Sequence, residues 1–488
     1  MKRSSPVQED VLRRTAKRCR ERGIRIPTFA ELRDPEQIGS DIKAGLQGVA
    51  MEAVDPLNLF RIGWKNEPCA TGGGFNHGNW IEFPPALTGV SARIIGLIGR
   101  HFPTGSHKVG AGFGCLVPRL VTGQFDPTRQ KAVWPSTGNY CRGGAFDCAL
   151  LACPAIAILP EEMSAERFEW LRAIGTDEII ATPGCESNVK EIYDKCWELK
   201  AERGDELVIF NQFSEFGNAI WHFHVTGAAL SEVWNQVARP ANRLAAFVSA
   251  TGSAGTIAAG EHLKQQHPGL ATVAVEAWQC PTLLLCGFGG HRIEGIGDKH
   301  VPWIHNVRQT DVVCAIDDEQ CMALLRLFNE AEGQAFLRSA GLTDELIAEL
   351  PLLGISSICN LVAAIKTARY YEMSSDDLIF TVLTDSAELY ATRLAEMQVS
   401  QGAYSREAAV RHTSRYLEGI GTGRMQELRY WDRKRLHNFK YFTWVEQQQR
   451  SVDELRRLWD PDFWLETYAQ VDEWDERIRE FNRLVDMS

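Results

Sequence analysis

The chain has 488 residues, of which 44% are hydrophobic and 24% are charged, so it is long enough for two or more globular lobes with large cores. Its formal net charge of -11 argues against a nucleic acid or an anionic membrane as the main partner, because both require a concentrated basic surface. A small-molecule substrate is therefore expected.

The thirteen cysteines predict a reducing compartment rather than a disulfide scaffold, since the chain is large and no charged-then-apolar leader follows Met1. No apolar run approaches the roughly 20 residues that cross a bilayer. We therefore expect a cytoplasmic protein with no membrane partner. The spacing of Cys141, Cys148 and Cys153 fits no zinc pattern, and no metal site is predicted.

Short apolar runs alternate with longer amphipathic segments through the middle of the chain. Buried strands are predicted at 92–99, 155–160, 178–182, 207–211, 244–251, 272–277 and 378–385. Helix-period segments, such as 164–174 and 187–202, separate them. This alternation predicts an α/β fold whose parallel sheets are covered by helices on both faces.

The two ends of the chain have a different pattern. Residues 1–58 carry helical and turn patterns without a strand-strength run, and residues 404–488 are helical and rich in aromatic side chains. Ser451 and Glu454 form a capping box, and Asp460-Pro461-Asp462 starts a further helix. The C-terminal extension is either a lid or dimer arm, or a set of helices that pack their aromatic side chains onto the main body.

Four polar or glycine-rich segments contain the candidate functional residues, and the rule for open α/β sheets places ligands at such positions, beyond the carboxyl ends of strands. They are 103–108, which ends in Lys108; 136–139 (STGN); 252–256 (GSAGT); and 384–386 (TDS). Segment 252–256 lies between a strand and a helix that begins near Ile257. Its backbone amides and hydroxyls would hold an anion at the positive end of that helix.

In their order along the chain these segments resemble the β-family (fold type II) of pyridoxal phosphate (PLP) enzymes, and most closely its cysteine synthase and cystathionine β-synthase branch. The segment from Gln212-Phe213 to Thr226-Gly227, together with Gly295-Ile296-Gly297 and Gly354-Ile355-Ser356-Ser357, matches further positions of that branch. The resemblance implies a tryptophan synthase β-like fold with two doubly wound lobes and a homodimer. The large lobe would comprise 59–108 and 213–403, and the small lobe 109–212.

The resemblance also implies roles for individual residues at the cofactor. Lys108 would carry PLP and later move the substrate α-proton. His107 would touch the phosphate, or else face solvent at the start of a helix. The remaining cofactor-binding positions implied by the resemblance are Asn139 at the ring hydroxyl, Gly252, Ser253, Ala254, Gly255 and Thr256 at the phosphate, Gly354, and Ser386 at the pyridine nitrogen. Asp385 is the alternative partner of that nitrogen, and it would protonate the ring.

The substrate loop departs from cysteine synthases after its asparagine. By resemblance the substrate carboxylate would be held by Ser136, Thr137, Gly138 and Gln212. Cysteine synthases have a threonine and a glycine after the asparagine, whereas this chain continues with Tyr140, Cys141 and Arg142. Tyr140 is expected to contact the substrate, and Arg142 would pair either with a second carboxylate or with the protein surface.

The predicted function is β-elimination or β-replacement on a small amino acid of the serine, O-acylserine or cysteine kind, through an aminoacrylate intermediate. One alternative is a serine/threonine dehydratase or ammonia-lyase that gives a 2-oxo acid. Another, of a different class, is a catalytically idle homologue that acts as a regulatory subunit. The presence of Lys108, Asn139 and Ser386 argues against the last of these.

Overall fold

The computed structural model describes residues 8–136, 138–185, 188–297 and 299–487. Its strands, in chain order, are β1 (Trp80–Phe83), β2 (Arg93–Ile98), β3 (Lys131–Pro135), β4 (Ala155–Pro160), β5 (Glu178–Thr182), β6 (Leu207–Ile209), β7 (Arg243–Ala250), β8 (Ala271–Ala277), β9 (Val312–Ile316), β10 (Asp377–Leu383) and β11 (Met425–Glu427).

Helices occupy most of the remaining chain. The α-helices are α1 (Glu9–Arg20), α2 (Phe29–Arg33), α3 (Ser40–Leu46), α4 (Pro85–Thr88), α5 (Lys108–Leu120), α6 (Asn139–Leu150), α7 (Ala165–Ala173), α8 (Val189–Arg203), α9 (Phe216–Trp221), α10 (Gly227–Val237), α11 (Ile257–Gln266), α12 (Thr282–Leu285), α13 (Asp318–Asn329), α14 (Ala331–Ser339), α15 (Asp344–Glu349), α16 (Ile355–Tyr370), α17 (Ala391–Gln401), α18 (Arg406–Thr413), α19 (Tyr430–Lys440), α20 (Val452–Arg457) and α21 (Pro461–Met487). A π-helical turn, His222–Thr226, joins α9 to α10.

The strands form two sheets within the described residues. The larger sheet has the order β1-β2-β10-β7-β8-β9-β11, and the smaller sheet has the order β5-β4-β3-β6. All pairs are parallel except the two edge pairs of the larger sheet, β1 with β2 and β11 with β9. Two parallel sheets covered by helices confirm the predicted fold class.

The predicted strands agree with the structure to within two residues at each end. The structure adds β1, β3, β9 and β11, which the sequence patterns did not single out. The expectation that the chain beyond residue 404 is helical was wrong at β11, which pairs Met425 with Cys314 at the edge of the larger sheet. This strand is short and half-exposed, so it has no apolar run in the sequence.

The large sheet is buried on both faces, which explains why its strands have continuous apolar runs rather than alternation. Every residue of β10 is buried, and α16 packs against it with 14 buried residues. On the other side, α5 lies close to α9 because glycines meet at the contact. A Cβ at Gly110 would collide with the indole of Trp221, and one at Gly217 would collide with the backbone of Gly114.

The two extensions pack against each other and against the main body. Asp475 in α21 accepts hydrogen bonds from the backbone N–H groups of Phe29 and Ala30, at 2.6 and 3.1 Å. Trp444 is buried and donates its indole N–H to the carbonyl of Val301 at 2.9 Å. Exposed aromatic side chains remain at Trp431 and Phe442. Packing onto the body therefore accounts for the buried aromatics of the extension.

The predicted helix starts in the C-terminal extension are confirmed. The Ser451 hydroxyl accepts from Glu454 N–H at 3.1 Å, and the Glu454 carboxylate accepts from Ser451 N–H at 2.8 Å. The next helix, α21, begins at Pro461. No single helix among the described residues has both the length and the apolarity to cross a bilayer. One pair bent by 118°, Asp344–Leu352 with Ile355–Tyr370, meets both criteria together.

Candidate active site

Three neighbouring parallel strands deliver the candidate residues to one edge of the large sheet. Strand β10 lies between β2 and β7. Beyond their carboxyl ends lie Lys108 after β2, Asp385-Ser386 after β10, and Gly252–Thr256 after β7. Strand β3 of the smaller sheet adds Ser136 and Asn139 from the opposite side, and Asn139 meets Asp385 directly. The sequence segments that were predicted separately therefore converge.

Lys108 is the first residue of α5 and is 8% exposed. Its backbone N–H contacts the Ser106 hydroxyl at 3.4 Å. Two other buried lysines in the described chain, Lys366 and Lys440, each donate to two backbone carbonyls away from these segments. Lys108 is the buried lysine placed next to the converging loops.

His107 is buried rather than facing solvent, so that alternative was wrong. It is 1% exposed, and its ring stacks on Trp64 with a centroid distance of 5.5 Å. Both ring nitrogens lack a hydrogen-bond partner in the described structure. Burial, with the charge of Lys108 added, lowers its pKa well below the usual value for histidine. The imidazole is therefore neutral at physiological pH.

His222 connects His107 to segment 252–256. The two imidazole rings meet edge to face at 5.1 Å. His222 Nδ1 lies 2.9 Å from the Thr226 hydroxyl, and its Nε2 lies 3.5 Å from the hydroxyl of Thr256. Residues of α9 and the π-helical turn thus line the back of this segment. His222 belongs to the Gln212 to Thr226 segment that carries the family resemblance, but the sequence predicted only a core or surface residue at this position.

Segment 252–256 forms the turn between β7 and α11. Asn218 donates to the Ser253 hydroxyl at 2.9 Å, and a Cβ at Gly255 would collide with the Asn218 side chain. Ala254 adopts a left-handed φ of 62°, which costs a non-glycine residue conformational energy. Backbone N–H groups at a helix N-terminus favour an anion such as a phosphate.

Asp385 and Ser386, at the end of β10, are both buried. Asp385 Oδ2 accepts hydrogen bonds from Asn139 Nδ2 at 2.6 Å and from the Tyr390 hydroxyl at 2.7 Å. Gly354 leaves room for this carboxylate, because a Cβ there would collide with Asp385 Oδ1. The Ser386 hydroxyl has no hydrogen-bond partner in the described structure.

The substrate loop follows β3. The Ser136 hydroxyl accepts from Gln212 Nε2 and from the N–H of Gly138, both at 3.2 Å. Gly138 has a φ of 155°, and a Cβ there would collide with the guanidinium of Arg167. Ser136, Gly138 and Gln212 are thus brought together as predicted from the resemblance, whereas Thr137 lies outside the described residues.

Arg167 is a residue of this region that the sequence patterns did not indicate. It is fully buried, forms an ion pair with Glu294, and donates to the Ser164 hydroxyl at 2.9 Å. Its Nη2 lies 3.3 Å from the Tyr390 hydroxyl. Arg167 therefore joins the smaller sheet's helix α7 to the end of β10. Only the fold brings these side chains together, since Arg167 and Tyr390 are 223 positions apart.

Tyr140 is buried, and its side chain packs against strand β3 of the smaller sheet. Its ring packs edge to face on Trp134 with a centroid distance of 5.4 Å. Burial raises its pKa well above the usual value, and Cys115 adds to the shift. This placement gives no support to the expected substrate contact of Tyr140.

Arg142 is 2% exposed, so pairing with the protein surface was wrong. One of its terminal nitrogens, Nη2, donates to the carbonyl of Thr104 at 3.1 Å, and its guanidinium lies 4.5 Å above the ring centre of Trp170. Arg142 is one helical turn beyond Asn139 in α6, so both side chains project from the same face of that helix.

The donors and acceptors of these loops fit PLP. The His107 ring nitrogens, Asn139 Oδ1, Ser356 Oγ and Ser386 Oγ are buried without a partner in the described structure. A Cβ at Gly295 would lie 3.7 Å from the Ser356 hydroxyl and 3.8 Å from Asn139 Nδ2, so this glycine lies among them. Buried polar atoms normally have hydrogen-bond partners. A polar ring with a phosphate would satisfy several of them at once.

Comparison with known proteins agrees with this geometry. The chain is 30% identical over 289 residues to a cysteine synthase of Staphylococcus aureus, which covers 59% of this chain and 84% of that protein. It is 25% identical over 323 residues to the cystathionine beta-synthase of Saccharomyces cerevisiae, covering 64% of this chain and 60% of that one.

Solved structures share the fold. A hydrogen sulfide-producing enzyme from Fusobacterium nucleatum superposes with a TM-score of 0.54 at 23% identity, over 64% of this chain and 95% of that one. An O-acetylserine dependent cystathionine beta-synthase from Helicobacter pylori gives a TM-score of 0.53 at 24% identity, over 64% and 94%. The family described as "Pyridoxal-phosphate dependent enzyme" matches residues 99–385. The chain therefore belongs to the family of pyridoxal phosphate-dependent enzymes.

Proposed function

We propose that this protein uses PLP on Lys108 to catalyse β-elimination or β-replacement on an amino acid of the serine, O-acylserine or cysteine kind. The observation that carries the proposal is the convergence of four loops at one edge of the large sheet. Lys108, Ser386 and Gly252–Thr256 follow neighbouring strands, and the Ser136 loop faces them. The similarity to cysteine synthases supports the same chemistry.

Lys108 has two roles in this proposal. When bound, PLP withdraws electrons from the α-carbon of an attached amino acid. The Lys108 amine takes the proton from that carbon, the bond from Cβ to the leaving group breaks, and the same amine returns the proton to the leaving group. Lys108 is 8% exposed, and its burial limits the access of water to this step.

The substrate carboxylate is assigned to the loop after β3. Ser136 and Gln212 hydrogen-bond to each other, and the Gly138 N–H contacts the same hydroxyl. Backbone and side-chain donors grouped in this way suit a carboxylate. Thr137 belongs to the same proposal by resemblance. Tyr140 is not included, because it faces Trp134.

The cofactor ring is assigned to the end of β10. Asp385 is already held by Asn139 and Tyr390, which supports Ser386 rather than Asp385 as the partner of the pyridine nitrogen. A neutral hydroxyl keeps that nitrogen largely unprotonated and favours loss of a β-substituent over transamination. Asn139 would contact the ring hydroxyl through the Oδ1 side of its amide or its second N–H.

The phosphate is assigned to Gly252, Ser253, Ala254, Gly255 and Thr256, with His107 behind them. The ring of His107 contacts the ring of His222. His222 Nε2 in turn lies 3.5 Å from the Thr256 hydroxyl. Gly354 contributes space for Asp385 beside the ring.

The proposed function also implies a division of the chain into two lobes and two extensions. We place 59–108 and 213–403 in a large cofactor-binding lobe and 109–212 in a small lobe, with 1–58 and 404–488 as extensions. All four strands of the smaller sheet lie within 109–212. We also propose that the protein acts in the cytoplasm as a homodimer; the cysteine-rich composition and the family resemblance support these two points.

The test is a reaction panel with the holoenzyme. O-acetyl-L-serine, L-serine, L-threonine and L-cysteine are each supplied with and without sulfide, and the products are identified as 2-oxo acids or new amino acids. Turnover of a three-carbon substrate with a leaving group on Cβ is the expected result. Rapid formation of a 2-oxo acid from threonine without any replacement product would instead favour a dehydratase. No turnover of any amino acid, with cofactor bound, would contradict the proposal.

A further inference from the structure

Arg142 is buried between the loop that precedes Lys108 and helix α7. It is 2% exposed, one face of its guanidinium lies 4.5 Å from the centre of the Trp170 ring, and Nη2 donates to Thr104 at 3.1 Å. The indole face and the carbonyl fix the orientation of the guanidinium. The side chain is therefore held between Trp170 of α7 and the loop that precedes Lys108.

The remaining donors of Arg142 have nothing to bind. Its Nε and Nη1 atoms are buried without an acceptor, and no carboxylate lies within ion-pairing distance in the described structure. Arg167 is equally buried, but it pairs with Glu294 and also donates to Ser164. Burial lowers the pKa of Arg142 to about 10, and the charge of Arg167 adds to the effect. Buried guanidinium donors without acceptors are costly, so an acceptor is missing from this position.

Asp385 does not supply that acceptor. Its negative charge is near enough to favour the charged form of Arg142, but its Oδ2 is occupied by Asn139 and Tyr390. Its Oδ1 has no partner and lies against Gly354. Asp385 therefore favours the charged form of Arg142 without accepting a hydrogen bond from it, and the Nε and Nη1 groups of Arg142 stay unmatched.

The position of Arg142 suggests that the missing hydrogen-bond acceptor belongs to the substrate. Asn139, one turn earlier on the same face of α6, meets Asp385 beside Ser386. The Thr104 carbonyl that Arg142 contacts lies four positions before Lys108. Arg142 therefore lies one turn along α6 from Asn139, which is assigned to the cofactor ring, and against the loop that leads to Lys108. A ligand group that extends beyond Cβ of a bound amino acid is the one that could reach its unmatched donors.

We propose that Arg142 binds a second anionic group, a carboxylate or a group of the same charge and hydrogen-bonding pattern, on the side chain of the amino-acid ligand. This inference rests on the proposed function, because it requires an amino acid bound through PLP on Lys108. It makes the preferred ligand acidic rather than neutral. A guanidinium with several unmatched N–H groups is suited to such an anion by charge-assisted hydrogen bonds.

The experiment compares acidic amino acids with neutral analogues. The holoenzyme is titrated with L-aspartate and L-asparagine, and with L-glutamate and L-glutamine, while the visible absorbance of the cofactor is followed. O-phospho-L-serine and O-methyl-L-serine form a third pair that distinguishes a phosphate from a carboxylate. The wild-type protein is expected to bind the acidic member of at least one pair about tenfold or more tightly than the neutral one.

The variants assign the preference to Arg142. In Arg142→Gln the ratio of the two dissociation constants is expected to fall to near one, and Arg142→Lys, which keeps the charge, is expected to retain part of it. Equal binding of all pairs by the wild type overturns the inference, as does a preference that persists in Arg142→Gln. If Arg142→Gln does not fold, the wild-type ratio and Arg142→Lys decide.

A failure of the proposed function has a different signature. In that case no amino acid of either charge alters the cofactor absorbance. If neutral amino acids alter the absorbance and the acidic ones have no advantage, the proposed function stands and the role of Arg142 is lost. If Arg142 serves only as the distant counter-charge of Asp385, Arg142→Gln lowers thermal stability without changing the ligand ratio.

Discussion

The buried amine of Lys440 connects the C-terminal extension to the main body through hydrogen bonds. Because this amine titrates near pH 7, we predict that the stability of the extension depends on pH. Lys440 is 1% exposed, and its Nζ donates to the carbonyls of Trp303 and His305 at 2.9 and 2.7 Å. No carboxylate pairs with it in the described structure. Burial therefore lowers its pKa from 10.5 to about 7. His305 and His437, which lie nearby, have pKa values lowered to about 3 and stay neutral.

Proton linkage gives the direction in which the stability of the C-terminal extension changes with pH. Above pH 7 the folded extension loses the Lys440 proton while the unfolded chain keeps it up to about pH 10.5, so unfolding takes up a proton and the free energy of opening rises with pH. The contribution is lost as the pH falls through 7. With 1.36 kcal/mol per unit of pKa, the gain between pH 7 and 8.5 is about 1.6 kcal/mol.

The assay is hydrogen exchange of the amides in α19, which reports local opening without requiring two-state unfolding of the whole chain. The difference in opening free energy between wild type and Lys440→Met should grow by about 1.6 kcal/mol from pH 7 to 8.5. Groups that titrate in both proteins cancel in this difference. Lys17→Met, at a lysine whose side chain is 72% exposed, should show no such growth. A constant difference across this range for Lys440→Met would refute the reasoning.

Two further predictions concern Glu261 and Gly138. Glu261 is buried between Asn306 and Tyr468, and burial raises its pKa to about 7. Its folded state holds a proton that the unfolded chain loses above about pH 4.5, so stability falls as the pH rises through 7. The stability of Glu261→Gln relative to wild type, followed by hydrogen exchange in α21, should thus increase by about 2.5 kcal/mol from pH 5 to 8; an unchanged difference would contradict the raised pKa. Gly138→Ala places a Cβ against Arg167 at a left-handed φ and should lower kcat/KM about 10- to 100-fold while the cofactor stays bound; wild-type kcat/KM in that variant would show that this loop does not hold the substrate.

The fold could be predicted where a strand is buried on both faces. Segments 155–160 and 178–182 coincide with β4 and β5, because parallel strands covered by helices have continuous apolar runs. Strands β3 (KAVWP) and β9 (VVCAI) are also short apolar runs, so the same pattern could have predicted them. Strand β11, with the sequence MQE, could not be predicted in this way, because an edge strand takes its stability from pairing rather than from burial.

The site could be predicted only in part. Loops after strands gave Lys108, Ser386 and Gly252–Thr256, because the carboxyl ends of parallel strands share one edge. The direction of a side chain on a helix depends on how that helix packs, so the sequence could not predict that Tyr140 packs on Trp134. The pairing of Arg167 with Glu294 joins distant parts of the chain and leaves no local pattern.

The central claim is that Lys108 carries the cofactor, and covalent trapping tests it most directly. Borohydride reduction of the holoenzyme fixes the bond between PLP and its lysine, and peptide mass spectrometry then identifies the modified residue. We expect the label on Lys108, and loss of both label and visible absorbance in Lys108→Ala. The other buried lysines, Lys366 and Lys440, are the internal controls. Stoichiometric label on Lys366 or Lys440 of the wild-type protein would contradict the assignment. So would stoichiometric label on any other lysine of the Lys108→Ala variant.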